Sequence, residues 1–144
     1  MKQNRLLALD YGSKNVGLAC CDELGITIRP LESIPNISHS ELIDRIHKIV
    51  LERQIEELVV GMPLKMDGST GTAARRVNAF IDKLAKTILL PVRSFDERLS
   101  TVEALEIWNV MSSRRRRKYR TVDSLAAACI LERYIKEAKL CEPD

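Results

Sequence analysis

The stretch RLLALDYGSKNVGLACC, residues 5–21, constrains this chain more than any other. An apolar run, Leu6-Leu7-Ala8-Leu9, leads directly into Asp10. A turn rich in Gly, Ser and Asn follows (Gly12 to Asn15), and a second apolar run occupies Val16 to Cys21. Two such runs around such a turn predict a β-hairpin with one carboxylate at the tip end of the first strand. An acid placed there costs free energy unless a hydrogen bond, a cation or a metal ion compensates it. What compensates Asp10 is therefore the question the sequence poses.

The chain of 144 residues predicts one domain, residues 1–144, with a real core. At 45% apolar and 30% charged residues the composition is that of a soluble globular protein. No apolar stretch approaches the length of a membrane span and the N-terminus lacks a signal-peptide layout, so a cytoplasmic protein without a membrane partner is expected. Cys20, Cys21, Cys129 and Cys141 form no C-x-x-C pair and read as thiols in a reducing compartment, with Cys20 and Cys21 on opposite faces of one strand. His39 and His47 have no matching ligand cluster and read as helix-surface residues.

Net charge is +3, but residues 112–120 (SSRRRRKYR) carry six basic groups and no acid, which leaves the remainder at −3 (+3 less +6). The chain is not generally basic; it carries one concentrated positive segment. Such a run is ordinarily a solvated loop, and phosphate binding is the sharper alternative.

Further along, residues 25–34 read as a third strand that Pro30 confines to an edge or a strand end. Ser38-x-x-Glu41 is a capping box opening a helix with Leu42, Ile46, Ile49 and Val50 on one face. The apolar stretch ELVVG, residues 57–61, suits a central parallel strand and runs into the turn-rich loop GMPLKMDGSTG. A second helix then carries Ala73, Val77, Phe80, Ile81, Leu84 and Ile88 on one side, and residues 91–95 form another short strand ending in Asp96-Glu97-Arg98. Ser100-x-x-Glu103 is a second capping box, for a helix bearing Ala104, Leu105, Trp108 and Met111, with Trp108 read as core. After the basic segment, a last helix begins near Thr121 and is apolar on nearly every face through Leu131, which predicts burial.

Strand-helix-strand connections favour parallel pairing with right-handed crossovers. The strands before Asp10, Gly61 and Asp96 should then lie parallel, with their C-terminal ends on one sheet edge. The hairpin leaves the first strand on one side and the first helix returns the chain to the other. That makes the first strand a switch point, where ligands bind beyond the carboxyl ends. Asp10, Asp96 or Glu97, and Asp123 at the start of the buried helix converge there. Carboxylates crowded without His or Cys suit a hard ion such as Mg²⁺ or Mn²⁺. Paired ions about 3.5–4 Å apart drive phosphodiester cleavage. Each acid also has a simpler role: Asp123 complements a helix dipole, and Asp96 or Glu97 can pair with Arg98. Strand alternation places Asp96 and Glu97 on opposite faces without choosing between them.

The blocks LALDYGSKNVGLA, VVGMPLKMDGS, FDERLSTVEA and VDSLAAACILERYI together resemble the YqgF-type family, across essentially the whole chain and in order. Members of that family are described as Holliday junction resolvases and as nucleases maturing the 5′ end of pre-16S ribosomal RNA. The resemblance implies an α/β, ribonuclease H-like fold with a mixed five-stranded sheet flanked by helices. It implies Asp10, Glu97 and Asp123 as catalytic and metal-binding acids, for Mg²⁺ or Mn²⁺, two ions with substrate bound. It thereby selects Glu97, with Asp96 in reserve. Related resolvases bring a fourth acid one turn after the third, where this chain has Ala126. The family's segment before the last helix commonly includes glycine, whereas here it is arginine-dense.

Supporting roles are expected of Gly12, Gly17, Gly61 and Gly68 in turns and close backbone approach. Lys14, Lys65, Arg75 (with Arg76), Arg98, Arg114, Arg115, Arg116, Arg117, Lys118 and Arg120 are candidates for binding nucleic acid, the expected partner. Junction cleavage would call for a homodimer. Two other classes compete: a non-catalytic nucleic-acid-binding module, and an ATP-binding domain of the sugar-kinase, actin and heat-shock type. The latter needs two such domains around the nucleotide.

Overall fold

The computed structural model describes residues 4–23, 27–63, 71–96, 100–119 and 121–141. Its elements run β1 (Leu6–Tyr11), β2 (Asn15–Cys21), β3 (Ile28–Pro35), α1 (His39–Arg53), β4 (Glu57–Met62), α2 (Thr72–Thr87), β5 (Val92–Asp96), α3 (Ser100–Val110), α4 (Ser113–Tyr119) and α5 (Val122–Cys141). The sheet order is β3-β2-β1-β4-β5. The two hairpin pairings, β1 with β2 and β2 with β3, are antiparallel, whereas β1 with β4 and β4 with β5 are parallel. This is the mixed five-stranded sheet expected of a ribonuclease H-like fold. The ends of β1, β4 and β5 share one rim, and the order reverses at β1.

Period-two alternation divides the sheet into two faces. Leu7, Leu9, Val16, Leu18, Leu58 and Val60 pack under α1 and α2 with Leu42, Ile46, Val77, Phe80 and Leu84. Leu6, Ala8, Ala19 and Val59 pack under α5 with Ala127, Ile130, Leu131 and Ile135. The small residues Ala8, Ala19, Ala127 and Ala128 bring α5 close to the sheet. Ala104 of α3 then covers Leu125 and Ala126. Cys20 and Cys21 fall on opposite faces, both buried, and burial pushes both thiols up, which keeps them protonated and inert.

Helix α1 begins as its capping box prescribes: Ser38 is the N-cap and its Oγ accepts the Glu41 amide. Pro30 lies within β3, and β3 is an edge strand, as a proline there requires. Residues 24–26 lie outside the described residues, so the strand is described from Ile28.

Four sequence expectations need correcting. In α2 the inward residue of the first turn is Ala74, and Ala73 is exposed. Helix α3 ends at Val110, so Met111 follows it, still packed against the Ala104 cluster. The basic segment is a helix, α4, over Ser113–Tyr119 rather than a loop; Arg and Lys are good helix formers, and the Ser112 hydroxyl accepts the Arg115 amide at its start. His39 is also no plain surface residue: its ring meets Tyr11 and Phe80, with centroids 6.0 and 5.5 Å away.

Candidate active site

Asp10 shares its strand face with Leu6 and Ala8, so it points to the α5 side of the sheet, at the rim. It is 9% exposed, one of the few charged groups buried among the described residues. Its cross-strand partner is Gly17. A Cβ built on Gly17 would lie 2.0 Å from the Asp123 carbonyl oxygen and 2.3 Å from the carbonyl carbon. The backbone of α5 at Asp123 therefore rests directly on Gly17, one strand away from Asp10. The glycine expected to permit a close backbone approach permits this one, and it sets the backbone of Asp123 beside the strand pair that carries Asp10. Gly61, buried on the same face of β4 one step beyond the Leu9–Val60 pair, puts no side chain between Asp10 and β5.

Asp123 lies in the first turn of α5, where the helix dipole favours negative charge. Burial nevertheless pushes its carboxyl above the ordinary carboxylate value, so the site desolvates the charge more than its surroundings compensate it. A hard cation shared with Asp10 would reverse that shift, and an all-carboxylate donor set is the kind such ions take. In this respect the residues present fit Mg²⁺ or Mn²⁺. Among the described residues no group of three or more His, Cys, Asp or Glu side chains comes together. Glu97 and Arg98 lie outside the described residues, as do Lys65, Gly68 and Arg120. Asp96 is described: at the end of β5 it lines, with Ser94 and Phe95, a pocket shared with Arg133, Lys136 and Glu137 of α5. Ala126, where related resolvases carry an acid, is buried against Ala104 and Leu125.

Hydroxyl groups anchor the start of α5. Thr121 Oγ1 accepts the Ser124 amide as an N-cap, at 3.1 Å. Fully buried Ser124 donates from its Oγ to the Leu31 carbonyl of β3, and Ser33 Oγ lies 2.7 Å from Thr121 Oγ1 and 3.4 Å from Ser124 Oγ. Here the β2–β3 ladder is irregular: Val16 pairs with Ile34 but Leu18 pairs with Leu31, so Glu32 and Ser33 bulge opposite Gly17. The turn after Asp10 is held as well. Asn36 Nδ2 donates to the Gly12 carbonyl and the Asn36 amide to the Lys14 carbonyl, both at 2.8 Å. None of Ser33, Asn36, Thr121 and Ser124 stands out in the sequence, where each is one more polar residue.

Tyr11 Oη lies 2.8 Å from His39 Nε2, and Lys83 Nζ lies 3.1 Å from His39 Nδ1. An ammonium can only donate, so Nδ1 accepts, the ring is neutral, and Nε2–H donates to Tyr11. Burial first, then Lys83, holds His39 below the ordinary histidine value.

The basic candidates sort by exposure. Lys14, Arg75, Arg76, Arg114, Arg115 and Arg117 are exposed. Arg116 is engaged: it stacks 5.3 Å from the Trp108 ring centroid and donates to the Trp108 and Asn109 carbonyls. Trp108 is accordingly half-buried packing, as expected. Helix α4 ends at Tyr119 and α5 begins at Val122, so the arginines lead straight into the Asp123 turn. Gly71 is the N-cap of helix α2 and supplies no side-chain cap bond, with Arg75 one turn in. Among the described residues no helix is long and apolar enough to cross a membrane.

Comparison with known proteins identifies the family and the fold. Residues 4–137 match the model of a family described as "RuvX: Holliday junction resolvase". A protein of Halothermothrix orenii named "Putative pre-16S rRNA nuclease" is 38% identical over 131 residues, 91% of this chain and 94% of the relative. Among solved structures, RuvC of T. thermophilus in complex with a Holliday junction substrate superposes with a TM-score of 0.61 at 15% identity, covering 96% of this chain and 97% of that one. The Fowlpox virus resolvase in its Holliday junction DNA complex gives 0.56 at 14% identity, over 94% and 99%. At such identities these two establish the fold.

Proposed function

Because the chain belongs to the RuvX Holliday junction resolvase family, we propose that it is a divalent-metal-dependent endonuclease acting on structured nucleic acid. Its proposed reaction is 5′-end processing of pre-16S rRNA in the cytoplasm, with four-way junctions as the second substrate class. The observation that supports the reading is the seating of the Asp123 backbone on Gly17, the cross-strand partner of Asp10, at the sheet rim. Asp10, Asp123 and Glu97 are the residues we assign to hold Mg²⁺ or Mn²⁺. Mg²⁺ or Mn²⁺ held there would supply water activation and charge neutralisation at the scissile phosphate.

The protein's own groups do the rest. The exposed arginines of α4, next to the Asp123 turn, hold the phosphate backbone; Lys14 and Arg75 extend that basic surface. Paired cuts across a junction require a two-fold dimer, whereas a single cut in a precursor RNA does not.

The test is cleavage of a pre-16S 5′ fragment and of a four-way junction with Mg²⁺ or Mn²⁺, by wild type and by Asp10→Asn, Glu97→Gln and Asp123→Asn. Cleavage by wild type that all three substitutions abolish is expected. Cleavage that survives them removes the mechanism. Salt-dependent binding without turnover under any metal identifies a binding module instead.

A further inference from the structure

We propose that the segment from Leu31 to His39, the β3 bulge and its run into α1, is a positioning brace that sets the separation of the two carboxylate-bearing backbones. This deepens the nuclease reading and rests on it. The observation is that one short stretch grips both partners of the site. On one side, the Leu31 carbonyl takes the Ser124 hydroxyl and Ser33 Oγ meets Thr121 Oγ1, which fastens the turn bearing Asp123. On the other, Asn36 closes two 2.8 Å hydrogen bonds onto Gly12 and Lys14, and His39 donates to Tyr11, which fixes the chain immediately after Asp10. Asp10 and Asp123 stand on different elements, and Gly17 lies between them without a side chain to space them. Lateral position is therefore left to whatever touches both.

The bulge explains how an edge strand does this. In a regular ladder Ser33 would pair with Gly17 of β2. The register shift between Val16 and Leu18 disrupts that pairing locally and turns Ser33 towards α5. Asn36 is the residue on which the brace turns, because its side chain and its amide hold two points of the same turn. Supporting groups that orient metal-binding carboxylates typically account for about 10–100-fold in metal affinity or activity.

The experiment compares wild type, Asn36→Ala, Ser33→Ala and Ser33→Thr. Three quantities are read: Mn²⁺ affinity of the protein by electron paramagnetic resonance, the kcat and KM of cleavage per folded molecule, and Tm. Asn36→Ala and Ser33→Ala are expected to weaken Mn²⁺ binding and lower kcat by about 10–100-fold with KM unchanged. Ser33→Thr, which keeps the hydroxyl, is expected to recover most of the loss. A merely structural role would lower Tm and the folded fraction but leave Mn²⁺ affinity and kcat per folded molecule at wild-type values, and that result overturns the brace. If Asp10→Asn abolishes wild-type cleavage while Asn36→Ala does not change it, the brace fails and the nuclease reading stands. If wild type neither cleaves nor binds Mn²⁺, both fail together.

Discussion

Gly17→Ala tests the central approach of α5 to the sheet with a single methyl group. The added Cβ would meet the Asp123 carbonyl oxygen at 2.0 Å and the Ser124 nitrogen at 2.9 Å, all backbone atoms that no rotamer change can move. Ordinary contact begins near 3.4 Å, so α5 must rise from β2 by roughly 1.4 Å at this point. Two effects oppose each other. Gly17 has no left-handed φ, so alanine would stabilise by about 0.4–1 kcal/mol through the unfolded chain. Overpacking costs about 1–3 kcal/mol, and backbone against backbone belongs at the upper end. The clash wins, for a net destabilisation of about 2–2.6 kcal/mol. At roughly 3–4 °C per kcal/mol for a chain this size, Tm should fall by about 6–10 °C. Activity should suffer more than stability, because the lift carries Asp123 away from Asp10; kcat is expected to fall about 10–100-fold among molecules that remain folded. Thermal unfolding followed by calorimetry, with cleavage assayed well below Tm, measures both. An alanine variant with wild-type Tm and wild-type kcat would show that α5 does not bear on Gly17, and the site geometry would fall with it.

Other outcomes follow from the same structure. Because burial raises Asp123 above its ordinary value of 3.8, its favourable contribution is complete below that value and disappears as pH rises through the folded-state value. Metal-free Asp123→Asn should therefore melt higher than wild type at pH 7 in EDTA; a lower Tm would contradict the burial argument. His39 runs the other way: held below 6.5, it leaves stability intact above that value and diminished as pH falls through the folded-state value, and His39→Gln should flatten this acid limb in a Tm–pH series. Replacing Arg114, Arg115 and Arg117 by Gln should make nucleic-acid binding less sensitive to salt, the slope on duplex DNA falling by about 0.9 for each phosphate these arginines neutralise. Arg116→Gln should instead lower Tm with little change in that slope, because its guanidinium is engaged with Trp108.

Much of the frame is written in local pattern. The hairpin around Asp10, the Ser38 cap and the parallel β1, β4 and β5 all follow from periodicity and turn chemistry, which act over a few residues. The burial of α5 through Leu131 is legible because its apolar residues leave no polar stripe. What escapes a reading of the sequence depends on distant partners. Ser33 finds Thr121 across 88 residues and Asn36 finds Gly12 across 24, and nothing in either sequence neighbourhood announces the other. The β3 bulge is a mismatch between two strands, so neither strand alone reveals it. The helix of the basic segment is hidden because like charges suppress the apolar pattern by which helices are recognised, although arginine's own propensity points to it. His39 is obscured for a related reason: Tyr11 and Phe80 come from other elements to cover it.

The far edge of the sheet is tethered differently from its middle. Strand β5 exposes Arg93 and Ser94 and buries no side chain fully. An ionic knot secures it: Arg93 Nε donates to Glu57 Oε1, buried on β4, and Tyr134 Oη donates to the same oxygen at 3.1 Å from α5. A strand that buries no side chain fully opens at lower cost than neighbours sealed by leucine and valine. Amide exchange should accordingly begin at β5 while β1 and β4 stay closed. The sheet then loosens from its β5 edge inward, and the seat of Asp10 on β1 is reached last.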